Sequence, residues 1–337
     1  MELIFWILVF ILSLFLLIKG ADWFVESSEK IALALKVLPF IVGVTIVAIG
    51  TSLPELASSI AATIKGETEI VGANVVGSNI ANILLIVGLS AVAGQILIVK
   101  RSLINIDLPL LASTTVLFLF TMADKKIVLG EGILLLFGFL VYLLYTIFQR
   151  KEEILTPEIV EILPEGTKIQ VLPSRIERRR REARREFEKL TLKVFGFLII
   201  GLLALIIGAN NIIDSVVEIA KILKITSALI SITAIAVGTS LPELVVSVRA
   251  ALQKKYEISL GNILGSNVFN ALVVAGIPAL IRSLRVDPLT FSIGIPFLVV
   301  STLLFVISGI SRRIYIWEGL MYLLIYLLFL AKLFNLF

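Results

Sequence analysis

Two glutamates carry the most chemistry in this chain. Glu55 and Glu243 each sit in the sequence GTSLPEL, at Gly50 to Leu56 and Gly238 to Leu244, inside apolar segments long enough to cross a bilayer. An ionisable side chain in hydrocarbon costs about 2.5–3.5 kcal/mol on insertion scales, so it marks an ion pathway rather than packing. Two in matching sequence suggest one shared site. Downstream of each lies a second polar set, Asn74, Ser78 and Asn82 in the first copy and Asn262, Ser266 and Asn270 in the second. Steps of four residues put each set on one helix face. Polar stripes also glue membrane helices together, and Asn74, Asn79, Asn262 and Asn267 fit that role as well as ligation. Ser78, Asn82, Ser266 and Asn270 are the favoured site residues.

Ser52-Leu53-Pro54-Glu55 reads as a helix start, since Ser followed three residues later by Glu makes a capping box and Pro is tolerated in a first turn. A helix start in the middle of an apolar segment survives only where protein or a polar cavity receives the free backbone groups. Gly50 and Pro54 therefore break one helix, and Gly238 and Pro242 its counterpart, freeing carbonyls near Ala48, Thr51, Ala236 and Thr239. Two carboxylates with hydroxyl, amide and carbonyl oxygens make a hard, flexible cage. That suits Ca²⁺, which takes about 6–8 oxygens, better than Mg²⁺, and the same oxygens accept Na⁺. With both acids ionised, one Ca²⁺ or two Na⁺ would neutralise the site. An empty, charged site is costly to carry through hydrocarbon, so competition for it is a physical basis for exchange.

The chain has no cysteine and no histidine, which excludes disulfides, thiolate chemistry, His metal ligands and a His proton relay. With no HExxH and no need for the Ser and Asn sets, an intramembrane hydrolase is disfavoured. A purely structural scaffold leaves two buried acids unexplained. No cofactor is implied, and the partners are the transported ions and the lipid bilayer.

Composition agrees: 58% of the 337 residues are apolar, 16% are charged and the mean hydropathy is +1.06. Bilayer-length runs fall at about 3–19, 37–64, 71–98, 103–122, 127–148, 194–209, 225–252, 258–281, 289–310 and 314–331. An offset of 188 residues superimposes GTSLPEL on itself and also carries Gly20-Ala21 onto Gly208-Ala209. Between Thr45 and Gly88 roughly 20 of about 44 positions match their partners, the internal repeat of many transporters. Further on, Lys126-Ile127 with Glu131-Gly132 is echoed by Arg313-Ile314 with Glu318-Gly319. The predicted fold is an all-α integral membrane protein, ten transmembrane helices as two inverted-topology five-helix repeats. Residues 1–148 form the first repeat, 149–193 a connector and 194–337 the second. Five helices per repeat is odd, so the second enters from the opposite face. Most of the 30 Lys and Arg fall in the connector and in loops on its side, placing it in the cytoplasm and the N-terminus outside a cell membrane. Its basic run, Arg175 to Lys189, alternates with Glu at helical spacing and reads as a solvated or headgroup-facing helix, with no nucleic acid partner.

The pair GTSLPEL with GSNIAN (Gly77 to Asn82), repeated as GTSLPEL with GSNVFN (Gly265 to Asn270), resembles the alpha repeats of the calcium/cation antiporter superfamily and looks like those of prokaryotic sodium/calcium exchangers. The resemblance spans essentially the whole chain. It implies a Na⁺-driven Ca²⁺ antiporter, not an enzyme, working by alternating access with helices 1 and 6 sliding against the other eight. It places Ca²⁺ on Glu55 and Glu243 with the carbonyls of Thr51 and Thr239. Flanking Na⁺ sites would use Ala48, Ser52 and Ser266 on one side and Ala236, Ser240 and Ser78 on the other, with Asn82 and Asn270 completing the centre. One departure stands out, because sodium/calcium exchangers often carry Asp where this chain has Asn270. The alternative is an H⁺/Ca²⁺ antiporter of the same superfamily, in which either acid exchanges a proton for the metal. The sequence leaves the oligomeric state open, a monomer being compatible with it, and Gly20 and Gly208, placed at the ends of helices 1 and 6, are expected to let those helices slide or bend.

Overall fold

The computed structural model describes residues 2–35, 37–99, 107–148, 192–223 and 239–334. Its helices run in order α1 (Glu2–Leu35), α2 (Pro39–Thr51), α3 (Leu53–Lys65), α4 (Glu69–Gly94), α5 (Leu108–Thr121), α6 (Leu129–Phe148), α7 (Leu192–Ile222), α8 (Leu241–Leu252), α9 (Tyr256–Ile281), α10 (Thr290–Ile310) and α11 (Ile316–Leu333). Among the described residues seven helices are long and apolar enough to cross a membrane, and eight if α2 and α3 count as one bent span. The connector beyond Phe148, the second-copy segment 224–238 and the start of α5's predicted run lie outside the described residues.

Helices α4 and α9, which carry the two polar sets, are the most enclosed, with 78% and 89% of their apolar windows buried, against 17% for α1. The GSN motifs therefore occupy the centre, while α1, α6 and α7 present apolar faces outward, as lipid contact requires. Ile80, Ile83, Leu84, Ile86, Ile263 and Leu272 fill the core around α4 and α9. Small residues let the helices approach: a Cβ on Gly265 would lie 2.6 Å from Val44 Cα, Val44 O and Ala48 Cβ of α2.

The chain breaks where Gly50 and Pro54 predict, α2 and α3 meeting at 41° around Ser52. Three features differ from the sequence reading. First, α1 runs well past the apolar stretch 3–19, because Lys19, Asp22, Glu26, Glu29 and Lys30 continue it as a polar helix rather than ending it. Second, Gly20 and Gly208 are not helix ends but the crossing point of α1 and α7. A Cβ on Gly20 would meet Gly201 O and Ala204 Cβ at 2.9 Å, and one on Gly208 would meet Ser13 O at 3.0 Å. They seat two helices on each other. Third, α4 and α9 each widen into a π-helical stretch, Ala81–Val87 and Asn270–Val274, at the site asparagines. Such stretches recur at functional sites.

Four short strands join the two sequence copies. β1 (Ile96–Ile98) pairs antiparallel with β4 (Arg313–Tyr315), and β2 (Lys126–Ile127) with β3 (Leu284–Arg285). Each pair takes one strand from each copy. The helices that follow β2 and β4 start alike: Val128 N–H donates to Glu131 Oε2 and Tyr315 N–H to Glu318 Oε2, both at 2.8 Å. This explains the echo of Glu131 by Glu318, since each carboxylate receives an otherwise orphaned donor at a helix start.

Candidate ion-binding site

The site is built where the broken helices α2–α3 and the start of α8 meet α4 and α9. Glu55 and Glu243, each in the first turn of a helix that starts within the apolar layer, are both 1% exposed and close enough for their charges to interact. The surroundings are crossed between the sequence copies. Glu243 receives the Ser52 hydroxyl at 2.9 Å, with Thr51 nearby, whereas Glu55 faces the hydroxyls of Thr239 and Ser240. Ser52 also shares a 3.0 Å hydrogen bond with Ser266 Oγ. Each acid is thus surrounded by the other copy's hydroxyls, which a single copy could not arrange.

Ser52 does not cap α3. Its side chain makes no capping hydrogen bond, and neither does Ser240 at the start of α8. The capping box expected from Ser52 and Glu55 is therefore corrected: the helix starts there, but both side chains turn into the site. Pro54 and Pro242 lower the need for a cap by lacking an N–H in the first turn. Ala48, fully buried on α2, is less free than expected, since its carbonyl accepts Ser52 N–H at 3.0 Å. The Thr51 hydroxyl lies 3.4 Å from the same oxygen, on its other lone pair.

Ser78, Asn82, Ser266 and Asn270 are all buried on α4 and α9, and Thr239 is half-buried. Ala236 lies outside the described residues. Oε2 of Glu243 and both amide atoms of Asn82 and of Asn270 have no hydrogen-bond partner among the described residues, and the two Glu55 oxygens, although they face the Thr239 and Ser240 hydroxyls, make no well-formed hydrogen bond to them. Leaving such an atom buried and unmatched costs about 1–3 kcal/mol, so several in one place call for a polar occupant.

The remaining asparagines make bracing hydrogen bonds through their Nδ2 groups, while the amide oxygens of Asn79 and Asn267 also lack partners among the described residues. Asn74 Nδ2 donates to Ser59 Oγ at 3.1 Å and lies 3.5 Å from Glu55 O, and Asn262 Nδ2 donates to Ser247 Oγ at 2.9 Å and to Glu243 O at 3.3 Å. Residue for residue, these bonds repeat at the 188 offset. Asn262 also accepts the Thr51 hydroxyl at 3.1 Å, tying α2 to α9. Asn79 Nδ2 donates to Asn267 O, its own counterpart, at 3.1 Å, so α4 and α9 cross at equivalent positions. Ser59 and Ser247 went unremarked in the sequence, although each lies four residues after its glutamate and so on the same helix face. The π-helical stretches had no sequence signal.

The chain is 33% identical over 344 residues to sodium/calcium exchanger MaX1 of Methanosarcina acetivorans, covering 97% of this chain and 98% of that one. It is 31% identical to inner membrane protein YrbG of Escherichia coli, covering 84% and 82%. The solved structure of the sodium-calcium exchanger NCX_Mj soaked with Na⁺ and Sr²⁺ superimposes with a TM-score of 0.79 at 30% identity over 98% of each chain. The profile described as sodium/calcium exchanger protein matches residues 5–148 and 193–335, the two halves that carry the doubled motif. The chain belongs to the sodium/calcium exchanger protein family, membrane antiporters that carry calcium and sodium and are not enzymes.

Proposed function

We propose that this chain exchanges Na⁺ for Ca²⁺ across the cell membrane by alternating access, with both ions bound at the centre by the paired acids of two inverted repeats. The observation that carries the reading is the set of seven buried polar atoms of Glu55, Glu243, Asn82 and Asn270 left without a well-formed hydrogen bond among the described residues. Five are oxygens drawn from both sequence copies, a donor set suited to a hard cation. Ca²⁺ takes the two carboxylates, with the carbonyls of Thr51 and Thr239. Na⁺ takes the flanking positions at Ala48, Ser52 and Ser266, and at Ala236, Ser240 and Ser78. Asn82 and Asn270 turn their amide oxygens to the central ion and their N–H groups to a carboxylate or a bridging water.

Residues 1–148 and 194–337 are the two five-helix repeats, ten helices in all, and 149–193 is the cytoplasmic connector with the N-terminus outside. The two strand pairs support this arrangement, because exchanging the copies turns the β1–β4 pair into the β3–β2 pair. Three Na⁺ at a site bearing two acids leave one net positive charge, so exchange at that ratio is electrogenic.

The test is uptake of radiolabelled Ca²⁺ into proteoliposomes loaded with Na⁺, compared with vesicles holding an inside-acid pH gradient and no Na⁺, with Glu243→Gln as the control. Uptake driven by internal Na⁺ and abolished by the substitution supports the reading. Uptake driven only by the proton gradient moves the protein to H⁺/Ca²⁺ exchange and removes the Na⁺ sites.

A further inference from the structure

Two halves of matched sequence would give two access states of similar energy, unless some contact occurs on one side alone. Such a contact joins α1 to the end of α8. Arg249 donates through Nε and Nη2 to Asp22 Oδ1 at 2.8 and 2.5 Å, and Gln253 Nε2 donates to the same oxygen at 3.1 Å. Two turns further along α1, Glu29 Oε2 lies 2.7 Å from Lys255 Nζ, in the turn between α8 and α9. Asp22 and Glu29 are seven residues apart and share a helix face. The Asp22 side chain is only 16% exposed, so water screens the pair less than a surface ion pair.

The 188 offset shows what stands at the equivalent contact between α7 and α3. Asp22 and Glu29 correspond to Asn210 and Val217, and Arg249, Gln253 and Lys255 to Ala61, Lys65 and Glu67. Neither pairing of opposite charges survives. Packing follows the charges. Helix α1 lies along α8, whereas α7 makes little contact with α3 among the described residues. Leu53, Ala57, Ser58 and Ala61 are accordingly exposed on α3, while their counterparts Leu241, Val245, Val246 and Arg249 are covered wholly or in part. The site is thus flanked by one closed helix contact and one open one.

We propose that Asp22 and Glu29, held by Arg249, Gln253 and Lys255, form a one-sided clamp that shuts the α1–α8 mouth of the ion site and biases the carrier toward the state open along α3. The inference rests on the alternating-access reading. Because α1 and α7 seat on each other through Gly20, Gly201 and Gly208, they move as a unit, and closing one mouth leaves the other open. Ion binding then has to release the clamp in each cycle, so the pair sets which side of the membrane the empty carrier presents.

The chain contains no cysteine, so single thiols can report access without background. Ala57→Cys on α3 and Val245→Cys on α8 are placed separately in the full-length protein, and their alkylation rates by a charged maleimide are measured with and without Ca²⁺. In the parent chain position 57 should react faster than 245, and Ca²⁺ should change the ratio. Arg249→Ala should shift that ratio toward 245 by about fivefold, the leverage of a strong surface ion pair. Building the missing contact with Asn210→Asp and Ala61→Arg should shift it the same way by closing the α3 mouth. Reversing the charges together, Asp22→Lys with Arg249→Glu, should restore the parent ratio and so rule out damage to the fold. A ratio that responds to Ca²⁺ in the parent but is unmoved by Arg249→Ala overturns the clamp alone. A ratio that ignores Ca²⁺ in every variant overturns alternating access, and the clamp with it.

Discussion

Replacing Gly265 with alanine puts the packing of the GSN motif to a quantitative test. The added Cβ would lie 2.6 Å from three atoms of α2, among them the Val44 carbonyl oxygen and Ala48 Cβ. Comfortable carbon contacts need about 3.5–4.0 Å, so α9 and α2 must part by roughly 1 Å, and two of the three obstacles are backbone that cannot rotate away. Overpacking of this kind costs about 1–3 kcal/mol. The same movement stretches the 3.0 Å contact of Ser266, the next residue, with Ser52, beyond hydrogen-bond range. If half of the cation's oxygens come from each side of this seam, the ion loses the same order of energy, which is about 5–150-fold in affinity. The assay is the Ca²⁺ dependence of the melting temperature and of uptake, with Gly130→Ala as the control, since a Cβ there meets nothing within 4 Å. Wild-type melting and wild-type half-saturation in Gly265→Ala would refute the claim that this glycine exists to bring two helices together around the ion.

Glu55→Gln and Glu243→Gln should each abolish the Ca²⁺-induced rise in melting temperature, which for an intact site at a hundredfold excess over Kd corresponds to about 2.7 kcal/mol. Retained Ca²⁺ stabilisation in either variant would remove that acid from the site. Ser52→Ala deletes a hydroxyl that bonds both Glu243 and Ser266 and should cost about 1–3 kcal/mol of ion-free stability, read by thermal melting. Glu318→Ala removes the acceptor for Tyr315 N–H at the start of α11 and should lower stability by about 0.5–2 kcal/mol while leaving the Ca²⁺ half-saturation of uptake unchanged. A changed half-saturation there would mean that the strand ends, far in sequence from the acids, couple to the ion.

The most legible features were those fixed by spacing. GTSLPEL at an offset of 188 marked the break between α2 and α3, the start of α8 and both buried acids, because glycine, proline and glutamate each restrict the backbone or the environment in a way that needs no partner to be known. The crossed contacts, Ser52 on Glu243 and Thr239 with Ser240 beside Glu55, could not be read, since they depend on how two distant segments dock. The capping box was a reasonable local reading that lost to tertiary demand: a serine hydroxyl that could serve its own helix serves an acid 191 residues away. The length of α1 was missed because charge was taken as the end of a helix, whereas Asp22 and Glu29 continue it toward partners on α8 and α9. Widening of α4 at Asn82 and α9 at Asn270 changes which carbonyl each N–H reaches, and no residue type announces that.

The strand pairs have a consequence for how the chain is made. Neither half can finish its own edges, because β1 must wait for β4 and β2 for β3. At about 5–20 residues per second, a ribosome needs on the order of ten to forty seconds to travel from Ile98 to Arg313. For the first part of that interval, until Thr239 and Ser240 have been made, the early helices sit in the bilayer with Glu55 lacking the hydroxyls it will later face. Biogenesis therefore includes a half-built stage with an exposed acid and open edges, and the residues that protect that stage are under a demand that the finished exchanger no longer displays.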